Sequence, residues 1–233
     1  MKRVAYFSLI AASLFLLSGI SIGQSVAKET RDVSGFTGVN FGLAGNLSIK
    51  LGSSFEVVLE GDSRYIRDIE TVVRSGKLVI RRDNFGMFNN ERVNVFVTMP
   101  ELKSLGLSGS GKATVETPVK TDLLDLSVSG SGKISIPEVD LNELNCSISG
   151  SGDIYLDNGE VGEADLSISG SGSYAGDKVV IKDFHAGIYG SGSCSCNVSE
   201  SLNAAISGSG NVVYSGNPKI NVRASGSGHV RSK

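Results

Sequence analysis

The 233-residue chain contains no tryptophan, and aromatic residues make up only 6% of it. Stacking platforms for bases or sugars are therefore scarce. Two histidines, His185 and His229, and three cysteines, Cys146, Cys194 and Cys196, leave little material for a metal centre or a disulfide framework. A net charge of −2 gives no electrostatic footprint for nucleic acid. No cysteine precedes Cys146, which excludes a lipid-anchoring cysteine behind an N-terminal leader. After the first 17 residues no apolar run is long enough to cross a bilayer.

That first run reads as an export signal. Lys2 and Arg3 precede the apolar stretch Val4 to Leu17, and Ser25 and Ala27 offer small residues for cleavage, with Ser21 and Gly23 as a second site. The expected division is a signal peptide over residues 1–27 and one β domain over 28–233. The mature chain is expected in the periplasm, on the outer-membrane surface or outside the cell.

What the chain has in excess is glycine and serine, 30 and 36 residues, about 28% together. Without a period such a composition indicates disorder. Here it has one. Gly-Ser-Gly begins at Gly109, Gly130, Gly150, Gly170, Gly190, Gly208 and Gly226, at intervals of 18 to 21 residues. Six copies follow a serine, and the seventh follows Tyr189.

Aligned on the first glycine, the copies form columns. Two residues before it stand Leu107, Val128, Ile148, Ile168, Ile188, Ile206 and Ala224; four before it, Leu105, Leu126, Cys146, Leu166, Ala186, Ala204 and Val222. Six before it come Lys103, Leu124, Leu144, Ala164, Phe184, Leu202 and Ile220. The columns between are polar, including Asp125, Asn145, Asp165, His185, Asn203 and Asn221. Alternation with period two around a fixed corner means strand, turn, strand with one face buried. Repetition every ~20 residues is satisfied by coils stacked at ~4.8 Å in parallel. The fold class predicted is all-β, a single-stranded parallel β-helix with seven Gly-Ser-Gly coils over residues 101–233. Both glycines fall on inward phases and are expected to sit where no side chain fits. Residues 28–100 lack the ruler but alternate as strands, forming either irregular early coils or a capping sheet.

Four features carry possible chemistry. Gly106 to Ala113 nearly spells a phosphate-binding loop, but Ala113 stands where a hydroxyl should hold magnesium, and Thr114 and Val115 continue a strand. Cys194-Ser195-Cys196 places both thiols inward, where they pack as small hydrophobes and cannot easily reach disulfide geometry. The row Asp125, Asn145, Asp165, His185 reads as a solvated hydrogen-bonded ladder, or alternatively as a site for calcium or sugar hydroxyls. Asp83 to Asn90, with Phe85, Met87 and Phe88, reads as an apolar cover for a coil end. Tyr155 and Tyr189 are the outward aromatics. No catalytic, cofactor-binding or metal-ligating residue is assigned.

The repeated Ser-Gly-Ser-Gly with aliphatic alternation, behind a strand-rich segment starting near Phe36, resembles the auto-transporter adhesin head GIN-domain family over roughly residues 36 to 228. The resemblance implies an exported bacterial protein, of a kind common in the Bacteroidetes, with a right-handed β-helix similar to that of pectin lyases. It implies a non-enzymatic binding role, with a surface glycan or a host or matrix protein as partner. It brings no catalytic residues, and no translocator barrel is expected in these residues. The alternatives are a pectin-lyase-like enzyme acting on polysaccharide and a purely structural envelope scaffold.

Overall fold

The expected alternation around a glycine corner appears as stacked coils in a computed structural model that describes residues 26–82 and 92–233. The chain enters through β1 (Val26–Arg31), β2 (Gly38–Phe41), β3 (Gly45–Leu51), β4 (Glu56–Asp62), the single-turn α1 (Ser63–Arg67), β5 (Ile69–Arg74), β6 (Lys77–Arg82) and β7 (Val93–Met99). The repeating region follows with β8 (Ser104–Gly109), β9 (Lys112–Val115), β10 (Val119–Gly130), β11 (Lys133–Ile136), β12 (Val139–Gly150), β13 (Asp153–Leu156) and β14 (Gly159–Gly170). It closes with β15 (Ser173–Gly190), β16 (Ser193–Gly208), β17 (Asn211–Ser215), β18 (Lys219–Gly226) and β19 (His229–Ser232).

In the repeating region every coil pairs in parallel with the next, largely residue for equivalent residue, with register shifts between β15 and β16 where the repeat shortens. Leu126 lies beside Cys146, Cys146 beside Leu166, and Gly130 beside Gly150. The aliphatic columns point inward and form one continuous core from Phe36 to Val212. Strands β10, β12 and β14 each bend once, whereas the alternation of β15 breaks twice, at Asp177–Lys178 and at Lys182–Asp183. Across β10 and β12 the register passes from Thr121↔Leu141 to Leu123↔Glu143, and the exposed pairs Asp122–Leu123 and Asn142–Glu143 interrupt the alternation. The bend reverses the phase, so that Leu124 and Leu144 return to the interior.

The corner glycines divide two tasks that the column alignment had merged. The first of each pair is half-exposed in the inner coils and takes a left-handed backbone, with φ of 115° at Gly130 and Gly150. The second is buried because there is no room for more. A Cβ on Gly152 would stand 2.6 Å from the carbonyl oxygen of Gly132 one coil earlier, and against Val128 Cγ1.

The N-terminal part is both an early coil and a cap, stacked out of chain order. β2 lies between β6 and β8, and β3 between β7 and β9, all parallel. The first coil in sequence is therefore sandwiched between a later one and the repeating region. Antiparallel β4 and then β1 cover the β7 side, and antiparallel β5 covers β6. Capping a coil edge with antiparallel strands removes most of its open backbone. Asp62 caps α1 by accepting from Arg64 N, and the Arg64 side-chain hydrogen bond holds its carboxyl below the ordinary value.

Four positions in the inward columns depart from the column reading. Lys103, aligned with inward leucines, is exposed and pairs with Glu101 at 3.1 Å, while Leu102 takes the interior. Ile220, Val222 and Ala224 lie in inward columns yet are exposed, the first two at 47% and 41%, because no coil follows β18 among the described residues. The Asp83 to Asn90 segment and residues 1–25 of the expected signal lie outside the described residues. The cysteines conform: all three are free and buried. Burial raises the pKa of the Cys146 and Cys194 thiols, and that of the Tyr174 phenol packed against Phe184.

Candidate functional site

The outward side of the long strands, between the bend and the Gly-Ser-Gly corner, carries a groove. Its floor is the column Gly106, Ser127, Ser147, Ser167, Gly187, Ala205 and Arg223, small in every coil except the last. One wall is the row Asp125, Asn145, Asp165, His185, Asn203 and Asn221. Short side chains in one column between longer ones in the next leave a trough, and stacking extends it along the rod.

Three adjoining depressions make up that trough. One of about 270 Å³ involves Asn40, Ser108 and Ser127; a second of about 330 Å³ runs over Ser127, Asn145, Ser147 and Asp165. A third of about 430 Å³ runs from Asp165 over His185, Gly187 and Asn203 to Arg223. They share Ser127 and Asp165 at their junctions. From β2 to β18 the groove crosses eight strands, roughly 34 Å at ~4.8 Å per step.

The polar row is a ladder in part. The Asn145 amide donates to Asp125 at 3.1 Å and to Glu143 at 3.2 Å, and Asn221 donates to Asn203 at 3.2 Å. Asn145 thus engages one carboxylate of the row, Asp125, and a second at the bend, rather than both neighbours in the row. His185 Nε2 stands 3.8 Å from Glu163 Oε1, also at the bend. No cluster of three metal-ligating side chains occurs among the described residues. The side chains can accept and donate hydrogen bonds to hydroxyl groups of a ligand at a fixed repeat, which is the chemistry of recognition along a chain.

The two outward tyrosines separate. Tyr155 lies on the short-strand side with the Lys133 ammonium 3.6 Å over its ring. Tyr189 is 57% exposed and leans over the groove floor, where a Cβ on Gly187 would meet its Cε2 at 3.3 Å. The pairing of Gly187 with Tyr189 and the position of Arg223 were missed in the column reading. Both leave a trace in the sequence. Strand β15 replaces Asp, Ser and Ser of the preceding coil by His185, Gly187 and Tyr189. No acidic residue follows Glu200, whereas Lys219, Arg223, Arg231 and Lys233 do.

This architecture of stacked parallel coils, with a polar groove along its surface and no helix among the described residues long and apolar enough to cross a membrane, places the chain in the class of β-solenoids. Within it, the chain belongs to the family described as "Putative auto-transporter adhesin, head GIN domain", whose model matches residues 35–218. A Bacteroides fragilis protein described as "a putative adhesin" aligns with a TM-score of 0.85 at 24% identity, covering 90% of this chain and 98% of that one. A Parabacteroides distasonis protein described as "putative adhesin" aligns at 0.73 and 20% identity, covering 91% and 98%. A protein from the same species described as "Putative lipid binding protein" aligns at 0.69 and 21% identity, covering 89% and 96%. At these identities the likeness establishes the fold. No curated protein sequence matches the chain.

Proposed function

We propose that this is an exported, non-enzymatic adhesin-type protein that binds a linear glycan along the groove of its long strands. An N-terminal signal, removed at one of the two small-residue sites, delivers one β-helical domain to the envelope or cell surface. The observation that carries the reading is the continuity of the groove across eight strands. A compact ligand needs one pocket, whereas a trough carrying hydroxyl, amide and carboxylate groups along its length suits a polymer with its own short repeat. Serine hydroxyls and Asn145, Asn203 and Asn221 amides both donate and accept, which matches sugar hydroxyls. Family membership supports a surface-binding role.

The test is an array of glycans and matrix proteins probed with the exported form, with and without calcium, beside phospholipid vesicles containing phosphatidylglycerol. Retention on linear glycans irrespective of calcium supports the reading. Silence on every glycan, or capture by matrix proteins or vesicles alone, overturns it.

A further inference from the structure

Resting on the glycan reading, we infer that the C-terminal third of the groove is a distinct subsite that selects a carboxylated sugar, with Tyr189 as stacking plate and Arg223 as carboxylate partner. Six of the seven corners are preceded by serine, and Tyr189 is the exception. The same strand carries Gly187 in the floor column, where the three preceding coils carry Ser127, Ser147 and Ser167. The two departures belong together. A serine at 187 would put its Cβ 3.3 Å from the Tyr189 ring, so the glycine lets the ring lie down along the floor. A tyrosine needing only solvent would not need that space.

Arg223 occupies the same floor column two strands farther on, roughly 10 Å away at ~4.8 Å per strand. It lines the same 430 Å³ depression as Asp165, His185 and Asn203. It forms no ion pair within the described residues, and the last stretch of chain offers it no carboxylate after Glu200. A guanidinium beside an aromatic plate in a hydroxyl-rich trough is matched by a pyranose with a neighbouring uronic acid. The ring stacks through its C–H face, and the carboxylate accepts two parallel N–H bonds. A neutral glycan would leave that fork without its charged partner.

The experiment measures affinities for hyaluronan, alginate and oligogalacturonate oligomers, each beside its carboxyl-reduced counterpart. The proteins are wild type, Tyr189→Ser, Gly187→Ser and Arg223→Gln. Both serine variants install the residue that neighbouring coils carry, so unchanged urea midpoints are expected and separate binding from folding. Wild type should prefer at least one carboxylated oligomer over its reduced form by roughly tenfold or more. Arg223→Gln should erase that preference while keeping the weaker binding. Tyr189→Ser and Gly187→Ser should each weaken both forms about fivefold, the second by lifting the ring without removing it. Equal wild-type affinity for the paired forms, or an unaltered preference in Arg223→Gln, overturns the subsite. If oligomers bind and Ser147→Trp in the middle of the groove weakens them while these three variants do not, the subsite fails and the groove reading stands. Binding to none of the oligomers, carboxylated or reduced, overturns the subsite; if the array is silent as well, the groove reading falls with it.

Discussion

Replacing Gly152 by alanine isolates the close approach between successive corners. Its backbone conformation is open to any residue, so the cost is steric alone. The added Cβ meets the Gly132 carbonyl oxygen at 2.6 Å and also Val128 Cγ1. Neither can retreat: the carbonyl accepts from Asp153 N at 2.9 Å, and Val128 is 1% exposed in the core. Overpacking of this kind costs about 1–3 kcal/mol, and weakening the corner hydrogen bond adds about 1 kcal/mol. Alanine's smaller unfolded-state entropy returns about 0.4–1 kcal/mol. The net expectation is destabilisation by about 1–3.6 kcal/mol, a drop in urea midpoint of roughly 0.3–1.8 M at an m-value of ~2–3 kcal/mol per M. Ser151→Ala, exposed at the same corner, should change stability by no more than about 0.5 kcal/mol. Circular dichroism during urea unfolding reads both. Equal midpoints for Gly152→Ala and Ser151→Ala would refute the claim that the second glycine is there for want of space.

Three further outcomes are expected. In native protein none of Cys146, Cys194 and Cys196 should react with a thiol reagent, and all three should react in denaturant, since each is at least 95% shielded. The Ser195 hydroxyl, and then Lys233, hold the Asp177 carboxyl below its ordinary value. That contribution is complete above the unfolded carboxylate range and disappears as pH falls through the lowered native value. Asp177→Asn should therefore cost a few tenths of a kcal/mol at neutral pH, with no difference from wild type in strong acid, as read by thermal unfolding. Finally, β1 begins at Val26 and pairs with Asp62, and Ala27 packs on the core. Cleavage after Gly23 keeps that strand whole, so N-terminal sequencing of exported protein should begin at Gln24. A start at Lys28 would show that the first two residues of β1 are dispensable.

The regular coils were legible because the same physical demand recurs in each of them. Ile148, Ile168 and Ile188 fill equivalent interior places, and Gly152, Gly172 and Gly192 meet equivalent carbonyls. The stacking order of the N-terminal coils was not legible. Pairings such as β2 with β8 join residues far apart in sequence, and no repeated mark records which coil lies next to which. Lys103 misled because it stands just before β8, which begins at Ser104, so the column that is strand in the later coils is not yet strand there and Leu102 fills the interior instead. Ile220 and Val222 follow the interior pattern, but burial needs a neighbour that the pattern does not supply. Of the groove, the polar row was readable as a column. Its depth was not, because that arises from the bend at Asp122 and Asn142 together with a floor of small residues.

The central claim is that the trough over the long strands is where this protein meets its ligand. Titration calorimetry with the glycan retained on the array, using two tryptophan variants, tests it most directly. Ser147→Trp fills the middle of the groove, where Ser147 is exposed between Ser127 and Ser167. Asp140→Trp puts the same bulk beyond the bend, where Asp140 is exposed beside Lys120 at 3.1 Å. With both folds intact, Ser147→Trp should weaken binding at least tenfold and Asp140→Trp should bind as wild type does. Undiminished affinity in Ser147→Trp, or a loss confined to Asp140→Trp, would contradict the account.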